Sequence, residues 1–267
     1  MTAFTSFIFL GIIAYLIIYC CTYWLQDYFI FRPKHLAKTH TYHFAQKFEE
    51  IWWDTEEGGK INGLWFTCEA PKGLILYFHG NADNLERWGK HAQEFLQHNF
   101  DVVMMDYRGF GKSSGVKSEA LFHEDALTIY EWAAKHYSTE KIIPMGRSIG
   151  SGMACQLAAT VQPPFLILET PFYSMPSLFY SYYAFLPVIF SFKYKFRNDL
   201  ALLKTNCPIL IFHGTYDYVV PYFHAKKLAR LLGERATLIT LPRGFHKGLG
   251  AFPLYQQKLK EALEGVN

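Results

Sequence analysis

Charge is scarce in this sequence: Asp, Glu, Lys and Arg make up 18% of the residues, and the small basic excess of +3 is scattered along the chain. A nucleic-acid surface needs clustered cations to neutralise phosphates, so no such partner is expected. Cysteine is scarce too. The five thiols, Cys20, Cys21, Cys68, Cys155 and Cys207, are odd in number and follow no framework spacing, which fits a reducing compartment better than a disulfide scaffold. Neither Cys-x-x-Cys nor His-Glu-x-x-His occurs, so no metal and no cofactor is expected. Internal repeats and low-complexity linkers are also missing. For 267 residues that are 51% hydrophobic, one large core is the simplest plan.

The sharpest absence lies near the start, where no side chain from Thr2 to Gln26 is charged. A helix of about 25 residues reaches across a hydrocarbon layer of about 30 Å. Its Leu, Ile and Phe residues together favour insertion by roughly 3 to 7 kcal/mol. A cleaved signal peptide is the competing reading, but the run is too long, no basic stretch precedes it and no Ala-x-Ala follows. A retained single-pass membrane anchor over residues 1–30 is expected, with Tyr23, Trp24, Tyr28 and Phe29 at the lipid interface. Arg32, Lys34 and Lys38 follow it, so the positive-inside rule places residues 31–267 on the cytoplasmic side. Cys20 and Cys21 could carry an acyl group, although apolar packing also accounts for them.

After the anchor, two β-rich runs at 48–55 and 60–68 flank Glu56-Glu57-Gly58-Gly59 and read as a hairpin. Strands are then expected at 74–78, 101–105, 142–145, 165–168, 209–212 and 237–241. Helices are expected at 85–98, 120–137, directly after 150, at 222–232 and at 254–263. Such alternation implies an α/β fold, a mostly parallel sheet with helices on both faces. Residues 173–200 break the alternation with a crowd of aromatics and read as a lid insertion. Either its helices pack on the core, or it forms an apolar wall for an acyl chain in which Phe179, Tyr183 and Phe185 bind substrate.

The chemistry gathers around Gly146-Arg147-Ser148-Ile149-Gly150, which joins an apolar strand directly to a helical pattern. Gly-x-Ser-x-Gly in that setting is a nucleophile elbow, whose turn lifts the serine Oγ above the carboxyl end of a parallel sheet. Glycine is needed on both sides because strand and helix come too close for a Cβ. A serine hydroxyl needs a base within hydrogen-bond reach, oriented by a carboxylate. The strand at 209–212 runs into Asp217 and the strand at 237–241 into His246, so both are expected at the same sheet edge as Ser148. Glu169 is the rival acid. Ser151 and Ser174 miss the elbow, His79 and His213 read as loop braces, and Cys155 reads as a buried small hydrophobe. The oxyanion donors are expected to be the N–H groups of Ile149 and Asn81. Residues 106–113 do not fit a phosphate loop, since the first glycine of that pattern would fall on Asp106; they read as a buried turn tied by Asp106 and Arg108.

As a set, His79-Gly80-Asn81-Ala82, residues 106–113, the elbow, Glu169-Thr170-Pro171-Phe172 and residues 213–221 resemble the membrane-anchored α/β-hydrolase-domain serine hydrolases related to the bud-emergence protein family. The resemblance covers about 31–263. It implies an α/β-hydrolase fold, a Ser148–Asp217–His246 triad and an oxyanion loop at Asn81. Its relatives include protein depalmitoylases and monoacylglycerol-type lipases. The depalmitoylases use lipidated N-terminal cysteines where this chain has an apolar helix. The expected activity is hydrolysis of an acyl ester or thioester, on a lipid or an acylated protein, beside membrane lipid. A serine peptidase of the prolyl-oligopeptidase type and a non-catalytic membrane scaffold are the alternatives.

Overall fold

The alternation of strand and helix resolves, in the computed structural model, into one eight-stranded sheet; residues 3–55, 57–184 and 192–265 are described. The strands are β1 (Phe48–Asp54), β2 (Lys60–Phe66), β3 (Gly73–Phe78), β4 (Phe100–Met105), β5 (Ile142–Arg147), β6 (Leu166–Glu169), β7 (Ile209–Gly214) and β8 (Ala236–Leu241). Across the sheet they run β8-β7-β6-β5-β3-β4-β2-β1. The pairs β1–β2 and β2–β4 are antiparallel and all the others parallel. Parallel neighbours cannot be joined by a tight turn, which is why helices separate them in sequence. The principal helices are α1 (Ala3–Ile30), α2 (Leu85–Trp88), α3 (Gln93–Leu96), α4 (Glu119–Ala134), α5 (Gly150–Val161), α6 (Met175–Tyr183), α7 (Asn198–Leu203), α8 (Phe223–Leu232) and α9 (Pro253–Glu264).

The central strands are apolar at consecutive positions because both their faces are covered. Along β3, Leu74, Leu76 and Phe78 enter one core with Phe122 and Ile129 of α4, Leu157 of α5 and Leu228 of α8. Ile75 and Tyr77 face the other core, which Phe95 of α3 and Leu259 of α9 close. All of these side chains are buried. A parallel sheet covered in this way leaves only its ends free, and the loops at the carboxyl end carry the candidate chemistry.

Several boundaries differ from the sequence expectation. The helix expected at 85–98 is broken into α2, a 3₁₀ turn over Gly89–Ala92, and α3. Gly89 lies so close beneath Phe44 that an added Cβ would fall 2.5 Å from the ring. α1 runs past Gln26 to Ile30, taking in Asp27, which pairs with Lys193 at 2.8 Å. It is one helix long and apolar enough to cross a bilayer. Directly after it, Arg32 and Pro33 pair in parallel with Ala82 and Asp83, a contact without a sequence signal. α6 lies within the expected 173–200 insertion and α7 begins at its end and runs past it, whereas Phe185 falls outside the described residues.

The turn at 106–113 is buried, but Asp106 and Arg108 go to different partners. Asp106 accepts from the Leu85 N–H at 3.2 Å, with Oδ1 3.4 Å from His79 Nε2. Arg108 holds Asp125 of α4 through two hydrogen bonds of 2.8 Å, both side chains almost wholly excluded from water. A forked guanidinium matches a carboxylate in this way, and removing one partner strands the other. Arg108→Ala should therefore cost about 3–5 kcal/mol in urea unfolding, and Arg108→Met combined with Asp125→Leu should recover most of that loss. A single-variant loss below about 1 kcal/mol would mean that the pair behaves as a solvated surface bridge.

Candidate active site

The elbow begins where β5 ends. Ser148 has φ 54°, in the left-handed region that a side chain rarely adopts. Its N–H donates to the Glu169 carbonyl of β6 at 2.9 Å, and its own carbonyl accepts from Ser151 N and Ser151 Oγ at 3.0 and 2.6 Å. These bonds hold the strained residue from both sides. Glycine is required around it: a Cβ on Gly146 would lie 2.7 Å from Ala154 Cβ and Ser151 Cα, and one on Gly150 would collide with the Phe78 carbonyl. Ser151, rejected as a nucleophile from its position, also accepts from Asn198 Nδ2 at 2.9 Å and so braces the first turn of α5 against α7.

The loops after β7 and β8 converge on this serine. His246 Nε2 lies 3.1 Å from Ser148 Oγ, and His246 Nδ1 lies 2.8 Å from Asp217 Oδ2. A carboxylate only accepts, so Nδ1 carries the hydrogen toward Asp217 and the Nε2 lone pair faces the hydroxyl. The other carboxylate oxygen, Asp217 Oδ1, accepts from Val219 N and Val220 N at 2.8 Å each. His213 approaches from beneath, its Nε2 2.8 Å from the Val220 carbonyl and 3.2 Å from Asp217 Oδ2. Burial would raise the Asp217 carboxyl, but the hydrogen bonds from His213 and His246 outweigh it and hold the group well below the usual carboxylate range.

Glu169 stands elsewhere. It faces Arg147 Nε at 3.2 Å and accepts from Tyr255 OH at 3.2 Å on the far side of the elbow. Burial dominates there and pushes its carboxyl up, the opposite of Asp217. Cys155 is fully buried in α5, its thiol pushed up by that burial and then by Cys207.

The loop after β3 carries Asn81, one candidate oxyanion donor, whereas the other, Ile149, follows Ser148 in the elbow. A Cβ on Gly80 would be 3.9 Å from Ser148 Cβ, so the backbone passes close to the nucleophile. Among the described residues, neither the Asn81 nor the Ile149 N–H has a hydrogen-bond acceptor. The loop is fixed from behind: Tyr107 OH donates to the His79 carbonyl at 2.7 Å, and His79 Nδ1 lies 2.7 Å from the Gly80 carbonyl. Asn81 itself is tied to α1, its Nδ2 donating to the Ile30 carbonyl at 3.0 Å and its carbonyl accepting from Arg32 N at 2.9 Å.

A family model described as Serine aminopeptidase, S33 matches residues 69–205, just over half of the chain and the part holding Asn81 and the elbow. The chain belongs to this family. Among relatives of the S33 chain, lysophosphatidylserine lipase ABHD12 of Mus musculus is 31% identical over 232 residues, which cover 78% of this chain and 55% of that protein. Protein ABHD12B of Homo sapiens is 26% identical over 241 residues, covering 72% and 66%. The chain thus spans little more than half the length of the first of these relatives. The Pyrococcus furiosus esterase Pf2001 shares the fold, with a TM-score of 0.68 at 18% identity over 88% of this chain and 98% of that one. The architecture is therefore an α/β-hydrolase fold, and the family is one of α/β-hydrolase-domain serine hydrolases.

Within this S33 fold, α6 lies over the acid loop. Tyr182 OH donates to the Tyr218 carbonyl at 2.5 Å, and Ser181 Oγ lies 3.0 Å from His224 Nε2. His224 also accepts from Tyr173 N at 3.3 Å, and burial, then Lys227, pushes its imidazole down to about 4. It is a neutral strut for α6. Phe179 and Tyr183 are ring neighbours at 4.9 Å, and Phe179 also meets Phe192 at 5.6 Å; the described contacts join them to the lid's own aromatics. The links from the lid to His224 and from α1 to Asn81 escaped the sequence reading, because each pairs residues far apart with no shared motif.

The direction of the Asp217 shift has a consequence for stability. A carboxyl lowered in the folded state contributes stability that is fully present above the unfolded value of about 4, and this is lost as pH falls through the folded value. Asp217→Asn should therefore flatten the decline in urea-unfolding stability between about pH 5 and pH 3. Parallel wild-type and variant curves would mean that the two histidines do not hold the carboxylate.

Proposed function

We propose that the chain is a serine hydrolase of carboxylic esters or thioesters of acyl, lipid-like substrates, acting through an acyl-enzyme. The observation that carries this reading is the unbroken path from Asp217 through His246 to Ser148 Oγ, beside two unengaged N–H groups. Ser148 Oγ attacks the carbonyl carbon as its proton passes to His246 Nε2. Asn81 and Ile149 N–H hold the resulting oxyanion, which collapses as the bond to the leaving alcohol or thiol breaks and that group takes the proton from His246. Water then attacks the acyl-enzyme, gives its proton to His246 and frees the acid, and Ser148 regains its hydrogen. Asp217 keeps the imidazole in the required tautomer and stabilises its cation throughout.

For the substrate, the lysophosphatidylserine lipases among the relatives support a single-chain phospholipid ester. The lid aromatics Phe179 and Tyr183, and Phe185 from the sequence, are the proposed contacts for its acyl chain. Residues 1–30 serve in this reading as the bilayer anchor and 31–267 as the catalytic domain, the basic residues after the helix favouring the cytoplasmic side. Kinship with the bud-emergence branch rests on the sequence motifs alone.

The family's description favours a second reading, an aminopeptidase. That chemistry needs a carboxylate to receive the substrate ammonium, yet no Asp or Glu lies between Tyr173 and Ala184 of the lid. Hydrolysis of medium-chain acyl esters and of amino-acid anilides, compared on one preparation, separates the two readings. Ser148→Ala should lower ester turnover by about 10⁴ to 10⁶ without loss of fold, and Asp217→Asn by about 10⁴. Full turnover in a clean Ser148→Ala preparation would exclude the mechanism. Failure of a fluorophosphonate to label Ser148 would favour a non-catalytic membrane scaffold.

A further inference from the structure

The loops that carry Asp217 and His246 also present a surface that the proton relay does not use. Tyr216 and Tyr218 flank the buried acid and Phe245 precedes the histidine, yet all three rings are exposed, Tyr218 by 74%. They form one group, with Phe245 6.1 Å from Tyr216 and 6.3 Å from Tyr218. Arg243 and Lys247 stand exposed on either side of Phe245, and among the described residues neither pairs with a carboxylate. The acid loop from Thr215 to Lys227 holds no acidic residue except Asp217, and the stretch from Pro242 to Ala251 holds none. The mouth is therefore rimmed by aromatic rings and cations with no exposed negative charge beside them in sequence. Amphipathic rings and cations of this kind suit the boundary between lipid headgroups and acyl chains.

The end of α1 is linked to this rim through a chain of contacts. Gln26 Oε1 accepts from Lys193 N at 2.9 Å and Asp27 pairs with the Lys193 ammonium, so the last turns of the apolar helix are fastened to the far end of the lid. Phe192, next in the chain, packs on Phe179 and Tyr180 of α6 at 5.6 and 6.0 Å. From α6, Tyr182 reaches the Tyr218 carbonyl, and Tyr218 leads to Phe245. Contacts thus run without a gap from the helix end to the catalytic mouth. We propose that this aromatic and basic rim docks on the surface of an anionic lipid bilayer, the same bilayer that α1 enters, and holds the Ser148 mouth against the headgroup layer. The inference rests on the reading of α1 as an anchor and of Ser148 as an ester hydrolase, and it adds the second contact that orients the domain.

The test uses the full chain reconstituted into phosphatidylcholine vesicles with and without phosphatidylserine, in wild type and in the double variant Arg243→Glu, Lys247→Glu. In anionic vesicles the variant should hydrolyse a vesicle-resident long-chain ester roughly 5- to 30-fold more slowly, from the loss of two cations near a charged surface. Its turnover of a water-soluble short-chain ester and its rate of fluorophosphonate labelling should stay within about two-fold of wild type. Equal loss on both esters would mean that the histidine loop itself has moved and would overturn the proposal, as would wild-type turnover indifferent to phosphatidylserine. Hydrogen exchange of residues 215–219 and 243–248 reads docking without any chemistry. Phosphatidylserine should slow it in wild type and not in the variant. If wild type hydrolysed neither ester, the hydrolase reading would fail, while slowed exchange would still support docking and unchanged exchange would overturn it.

Discussion

The backbone of one residue sets the conditions for everything at this sheet edge. Ser148 must turn the chain from β5 into α5 within a single left-handed position, which costs about 1–3 kcal/mol of strain. The neighbours offset it: the Glu169 carbonyl takes the Ser148 N–H, and Ser151 closes on the Ser148 carbonyl from within α5. The close approach of strand and helix leaves no room for a side chain at Gly146 or Gly150. What the strain achieves is geometric. Under the proposed chemistry it would present Oγ at the sheet edge and leave the Ile149 N–H at the start of α5 unengaged, so that one turn supplies both nucleophile and anion donor.

Two buried carboxylates flank that turn, and their surroundings send them to different tasks. Asp217 is held ionised by two histidines and two backbone N–H groups, a permanent acceptor for the His246 Nδ1 hydrogen. Glu169 is more deeply buried and its carboxyl is pushed up, with Arg147 and Tyr255 as its partners. A group that must stabilise a passing imidazolium has to stay charged, which only the Asp217 environment ensures. Arg147 also stacks over Trp88, so the elbow's variable position is occupied in holding β5 to the covering helices.

Much of this was legible because the signals were local. Gly146 to Gly150 carries its own turn chemistry, and strands of consecutive apolar residues announce a sheet covered twice, so Ser148, Asp217 and His246 could be placed at one edge from chain order alone. The illegible parts are those whose partners are distant or whose local pattern misleads. The periodicity over 85–98 is helical throughout, yet packing beneath Phe44 breaks the segment at Gly89. Arg108 sits two residues from Asp106 and reads as its partner, whereas the guanidinium crosses to Asp125 in α4. Asp27 looks like the polar end of an apolar run until Lys193, on the other side of the lid, closes on it.

The same limit hid the end of α1, which matters most for how the domain could work. The last carbonyls of a helix lack partners within it. Here one of them, at Ile30, is satisfied by the side chain of Asn81, whose main-chain carbonyl in turn receives the Arg32 N–H. Asn81 is thus gripped on two sides by the chain leaving α1, and its remaining N–H is the one proposed as an oxyanion donor. That N–H shares its rigid peptide plane with the Gly80 carbonyl, which His79 Nδ1 approaches at 2.7 Å, and the two soft dihedrals of Asn81 separate it from the carbonyl that Arg32 holds. Under the proposed chemistry, the end of α1 lies within a few bonds of an oxyanion donor. The end of the apolar helix is therefore bonded directly to a residue of the candidate site rather than held apart from it by a linker.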